Sequence, residues 1–351
     1  MKTLLNESWD KLVNRILDII WMQWTTLGVS GRSETWSSSP IDPEALLLFS
    51  ATAARYDARL FDAILDWITQ NQRFINVARL SRVGKSERFA GKRTMKAMVA
   101  TAGTSNAGLK WDRIYKQKSP DLSEPESLFL NISGNSIPVI GQADPHFLRE
   151  GYLREEYKNR GIALPFNSDF PGNLILKLRA FVGVNARCEI IQFLLLNHQG
   201  SPRALARDCY YLPGTIIKAM SEMEQSGILR SRIDGRLRLY SFNKVRDWRS
   251  LLIRDEKPLN WIVWPCVFSV LDQVLMFLES HQETDKSDLE LASTLRRIIS
   301  KGMENQLIRS GFPDVPELTK KHSGTDLIPV FFDTISRLLG WVAHTAAQPE
   351  Y

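Results

Sequence analysis

Apolar residues recur at helical spacing along most of the chain, and the breaks between these runs predict its elements. Residues 4–24 read as one amphipathic helix, since Glu7, Asp10, Lys11, Arg15 and Asp18 interrupt the apolar face; such a segment is not a signal sequence. A Ser/Gly-rich break, SGRSETWSSSP, leads to Asp42-Pro43-Glu44, where Asp42 can cap a helix and Pro43 suits its first position. EALLLFSATAARY and DARLFDAILDWITQN follow as two short helices, the second capped by Asp57. Helical stretches over 73–100 are expected to break at Gly84 and Gly91. No repeat of 20–50 residues is visible.

Six prolines between 119 and 172 predict a long connection with little regular structure, and hence a domain boundary. Beyond it the pattern predicts a helix over 172–182, a compact segment over 184–242, and helices near 258–281, 286–302 and 325–346. The expected architecture is mainly α and multidomain. A helical N-terminal domain spans 1–118, a Pro/Gly-rich connection 119–171, a central domain 172–254 and a helical C-terminal domain 255–351.

The central segment can be read element by element. Asn185 caps ARCEIIQFLLLNH, which ends at Gly200; Ser201-Pro202 then caps RALARDC. YYLPG turns the chain into a third helix, 214–226, which stops at Gly227. Ile216, Met220 and Met223 make one apolar stripe on it, while Thr215, Ile217, Lys218 and Ser221 face elsewhere. The stretch GILRSRIDGRLRLYSF follows, an alternating pattern around Asp234-Gly235 that predicts a β-hairpin over 228–242. A strict two-residue turn would put arginines and leucines on both faces of that hairpin, so a bulge or longer loop is expected.

Residues 201–242 resemble the winged helix–turn–helix of ArsR-type and MarR-type bacterial repressors. The likeness lies in the apolar stripe, the Gly227-Ile228-Leu229 step and the wing RSRIDGRLRLYSF. It implies double-stranded DNA binding, with helix 214–226 in the major groove and Arg232 and Arg236 at the wing tip near backbone or minor groove. The candidate DNA-binding residues are Arg203, Arg207, Thr215, Ile217, Lys218, Ser221, Arg230, Arg232, Arg236 and Arg238. The metal-sensing cysteine pairs of those repressors are missing, so no metal site is carried over.

Charge distribution reinforces that expectation. The net charge of +6 conceals two basic islands, +10 over 72–118 and +6 over 201–254, in an otherwise acidic chain. In the first, Arg79, Arg82, Lys85, Arg88, Lys92 and Arg93 form a secondary basic patch whose partner is nucleic acid, an acidic protein surface or solvent alone.

Little else suggests chemistry. Gly84-Lys85-Ser86 lacks the upstream glycine of a P-loop, where Arg79 stands. His-Glu-x-x-His, Cys-x-x-Cys and Gly-x-Ser-x-Gly are all missing, so no metal or cofactor is expected. Arg337 and His344 match the Arg-x(4–6)-His spacing of HEPN-type ribonucleases, but the residues between them are apolar. Cys188, Cys209 and Cys266 are read as buried hydrophobes in a reducing compartment, and the apolar run 261–278 as a buried helix instead of a membrane span. The stripe Trp261, Trp264, Phe268, Leu271, Leu275 and Leu278 is a candidate dimer face or core. The resulting expectation is a non-enzymatic, cytoplasmic, homodimeric regulator of transcription, free of cofactors and membrane contacts, resembling an antitoxin in role. A protein-interaction scaffold is the alternative, and a helical ribonuclease the third reading.

Overall fold

The chain is mainly helical. The computed structural model describes residues 2–31, 36, 39–103, 110–111, 114, 124–253, 259–280, 287–313, 315 and 317–346. Helix α1 (Lys2–Leu27) precedes α2 (Pro43–Ala53), α3 (Ala58–Asn71), α4 (Val77–Ser86) and α5 (Lys92–Gly103). Asp42 accepts from the Ala45 amide and Asp57 from the Leu60 amide, each at 3.0 Å, so both expected caps are in place. Helix α4 runs through Gly84, and the first break falls at 87–91 instead.

Helix α2 is buried on every side and sits at the centre of the molecule. It touches α1, α4, α5 and α12 (Trp264–Glu279). Phe49 stacks on Phe268 at 5.0 Å, and Phe268 on Trp264 at 5.0 Å. Trp264, Phe268, Leu271, Leu275 and Leu278 are therefore buried in the chain's own core, and Trp261 is half-buried with its ring 4.9 Å from Phe193. The stripe considered for dimerisation is consumed internally.

Residues 124–170 hold a short parallel pair, β1 (Glu126–Ser127) with β2 (Tyr152–Leu153), two isolated bridges and α6 (Pro145–Arg149). Charge fastens this irregular stretch to α3. The Asp66 carboxylate accepts four successive amides, from Arg160, Gly161, Ile162 and Ala163, at 2.6–3.1 Å. Asp62 adds an ion pair with Arg154 at 2.8 Å.

Next come α7 (Leu174–Val182), α8 (Ala186–Asn197), α9 (Pro202–Asp208), α10 (Pro213–Gln225), the hairpin β3 (Leu229–Asp234) and β4 (Leu237–Phe242), and α11 (Val245–Leu252). After α12, α13 (Asp288–Ile298) passes through a wide turn at 299–303 into α14 (Glu304–Ser310); α15 (Leu318–Lys321) and α16 (Leu327–Ala346) follow. One hydrophobic cluster runs from Trp9 to Val342, drawing on every stretch assigned above to a separate domain.

A buried charge cluster joins the N-terminal helices to the central block. Arg79 forks onto Asp42, reaches Glu44 at 2.7 Å, and donates to the Cys209 carbonyl at 2.9 Å. Arg179 contacts Glu44 and Glu189 at 2.7 Å each and the Phe74 carbonyl at 2.7 Å. Tyr211 donates to Glu189 and accepts from Asn76. Burial opposes charge on both arginines, yet the facing carboxylates outweigh it and raise their pKa values. Against its own burial, Asp42 is held below the usual carboxylate range by Arg79 and the Ala45 amide.

Two substitutions probe these ties. Arg179→Met removes the cation that pairs with Glu189 and one of the two that pair with Glu44, and should cost about 3–5 kcal/mol in urea denaturation. Asp66→Asn replaces an anionic acceptor by a neutral amide; it should cost about 2 kcal/mol and open residues 157–163 to limited proteolysis.

Candidate nucleic-acid interface

Helices α8, α9 and α10 and the hairpin pack as one block, α10 touching α8, α9 and β3. Asn185 and Ser201 cap α8 and α9 as the sequence predicts. Between these helices, Gly200 exchanges two 3.0 Å backbone bonds with Tyr240, adding a third extended stretch to the edge of the hairpin. A Cβ at position 200 would lie 2.5 Å from Leu205 and 2.7 Å from Phe193, so the approach requires glycine.

On α10, Ile216, Ala219, Met220 and Met223 are buried, while Thr215, Ile217 and Lys218 are exposed and Ser221 is half-buried. The helix closes with Ile228 N–H on the Met223 carbonyl and Gly227 N–H on the Glu224 carbonyl, Gly227 adopting φ 74°. This closure delivers the chain directly into β3.

The expected bulge does not occur. Pairing is continuous from Leu229↔Phe242 to Asp234↔Leu237, which leaves Gly235-Arg236 as a two-residue turn. The turn is centred one residue later than the Asp-Gly pattern suggested, with Gly235 at φ 57° taking the first central position. Alternation then puts Arg230 and Arg232 on one face with Leu239 and Ser241, and Ile233 on the other with Arg238 and Tyr240.

The ten candidates divide by their partners. Arg207 forks onto Asp208 at 2.6 and 2.8 Å. Arg238 bonds Glu224 at 2.8 Å and Ser231 at 2.9 Å, bracing the hairpin against α10. The hydrogen bond from Ser231, with Arg238 behind it, lowers the Glu224 pKa. Arg230 meets only the Ser241 hydroxyl, at 3.4 Å. Arg232 donates to Gln199 at 3.1 Å and lies 3.8 Å from the exposed Asp234. Arg203, Lys218 and Arg236 are exposed and have no ion pair among the described residues. Arg230 and Arg232 come together on a cleft of about 570 Å³ also lined by His198, Gln199, Ser241 and Val245. His198 and Gln199 carry no sequence signal for this role, because only the Gly200–Tyr240 bridge brings them to the hairpin.

The other basic island is partly structural. Arg79 is buried in the charge cluster, so it leaves the predicted patch. Arg82 donates to the Tyr210 carbonyl and lies over the Tyr211 ring, and Arg93 donates to the carbonyls of Glu150 and Gly151. Lys85, Arg88 and Lys92 remain exposed. Glu87, the one acid between residues 73 and 103, is buried and receives Tyr210 Oη at 2.6 Å, Gln306 at 2.7 Å and Arg309 at 3.1 Å.

Among the described residues no His/Cys/Asp/Glu cluster suits a metal ion, and no helix is long and apolar enough to cross a membrane. Arg337 pairs with Asp333 on its own helix, and the His344 side chain lies outside the described residues. No family model matches the chain, nor does any curated protein or solved structure.

All three cysteines are free and buried. Burial, with Glu189 near Cys188 and Glu87 near Cys266, pushes both thiols up to about 12. The folded protein should therefore resist iodoacetamide at pH 8 and take up three equivalents once unfolded, as read by intact mass.

Proposed function

We propose that residues 185–242 form a winged helix–turn–helix and that the chain binds double-stranded DNA sequence-specifically, as a regulator of transcription. The observation that carries this reading is the pairing of Arg230 and Arg232 on one hairpin face, lining an open cleft where the exposed Asp234, 3.8 Å from Arg232, is the one carboxylate paired with either among the described residues. In this reading α10 enters the major groove, with Thr215, Lys218 and Ser221 on phosphates or base edges and Ile217 against a thymine methyl. Arg203, Arg230, Arg232 and Arg236 hold backbone or minor groove, while Arg207 and Arg238 brace the block.

A protein-interaction scaffold is the second reading, favoured by Leu212, Ile217, Ile233 and Leu237, which are 53–74% exposed on the same elements. Selection of bound genomic fragments, followed by a salt titration, separates the two. Phosphate contacts from Arg203, Lys218, Arg230, Arg232 and Arg236 would give a log–log salt slope of about −4.5, and Arg230→Ala with Arg232→Ala should weaken binding and bring the slope to about −2.7. A selection that yields no motif, or no duplex binding at about 50 mM salt, overturns the DNA reading.

A further inference from the structure

A separate cavity of about 310 Å³ lies between α2, α4 and α5. Its floor is apolar: Leu48, Leu80, Phe89, Met95 and Ile114. Its rim carries Lys85 and Lys92, both exposed and neither in an ion pair among the described residues. The nearest acid in sequence, Glu87, is turned into the core and neutralised by Arg309. The cavity thus combines an apolar floor with a positive mouth that no carboxylate among the described residues pairs with. Its volume is at the small end of ligand sites, which run from about 300 to 1,000 Å³, and suits one short acyl chain better than a two-chain lipid.

We propose that this cavity binds a single-chain amphiphile with an anionic head group, its tail on Leu80, Phe89 and Met95 and its head between Lys85 and Lys92. Apolar burial supplies the affinity and the two ammonium groups select the sign of the head. Ser81 and Gly84 on the pocket-facing side of α4 give the tail room, since neither projects a bulky side chain. This site is separate from the winged-helix reading and uses none of its ten candidate residues between 203 and 238.

The test is calorimetric titration of the intact protein with monomeric dodecanoate, against dodecanol, dodecyltrimethylammonium and anionic phosphatidylglycerol vesicles. Saturable 1:1 binding of dodecanoate is expected, with dodecanol weaker and the cationic amphiphile inert. Lys85→Glu with Lys92→Glu, both surface changes, should weaken dodecanoate about tenfold while leaving the melting temperature unchanged. Ser81→Phe should abolish binding by filling the floor; the double charge variant keeps the test decisive should Ser81→Phe misfold. Absence of saturable dodecanoate binding, equal binding of all three head groups, or binding to vesicles alone overturns the proposal.

Discussion

Two arginines and three carboxylates buried in one cluster hold the molecule together. Arg79 and Arg179 sit among Asp42, Glu44 and Glu189, drawn from α2, α4, α7, α8 and the cap before α2. Such a cluster is stabilising only while it is complete, because each ion has given up water for its partners. Completeness requires that the N-terminal helices and the central block stay in one relative position. The hydrophobic cluster that runs through every stretch of the chain has the same requirement. Charge specifies the arrangement and apolar burial supplies most of the driving force.

Local signals were readable from the sequence, and long-range ones were not. The caps at Asp42, Asp57, Asn185 and Ser201, the end of α10 at Gly227 and the hairpin itself follow from chemistry within four residues of each position. The fate of each cation depends instead on partners dozens of residues away. Nothing near Arg79 announces Asp42 or the Cys209 carbonyl, and nothing near Glu87 announces Arg309. A count of basic residues overstated the exposed charge of 73–100 for that reason. Alternation along the hairpin was legible, but its faces were assigned only once the turn was placed at Gly235-Arg236.

The surface of the central block is mixed in character. Positive groups and apolar groups share α10 and the hairpin, with Ile217 near Lys218 and Ile233 near Arg232 in sequence. Glu224 offsets one arginine and fixes the hairpin's tilt against α10 through it. The free cations are thereby displayed on a braced support, and the cost of ordering them on contact with a partner is reduced.

Helix α4 has two working sides. Leu80, Ser81, Gly84 and Lys85 line the apolar cavity, whereas Arg79 and Arg82 clasp the carbonyls of Cys209 and Tyr210 just ahead of α10. No flexible tether intervenes between them. A ten-residue helix so anchored cannot turn about its axis without breaking the bonds that Arg79 and Arg82 make to those two carbonyls, so the wall of the cavity is held in place by the chain that leads into α10.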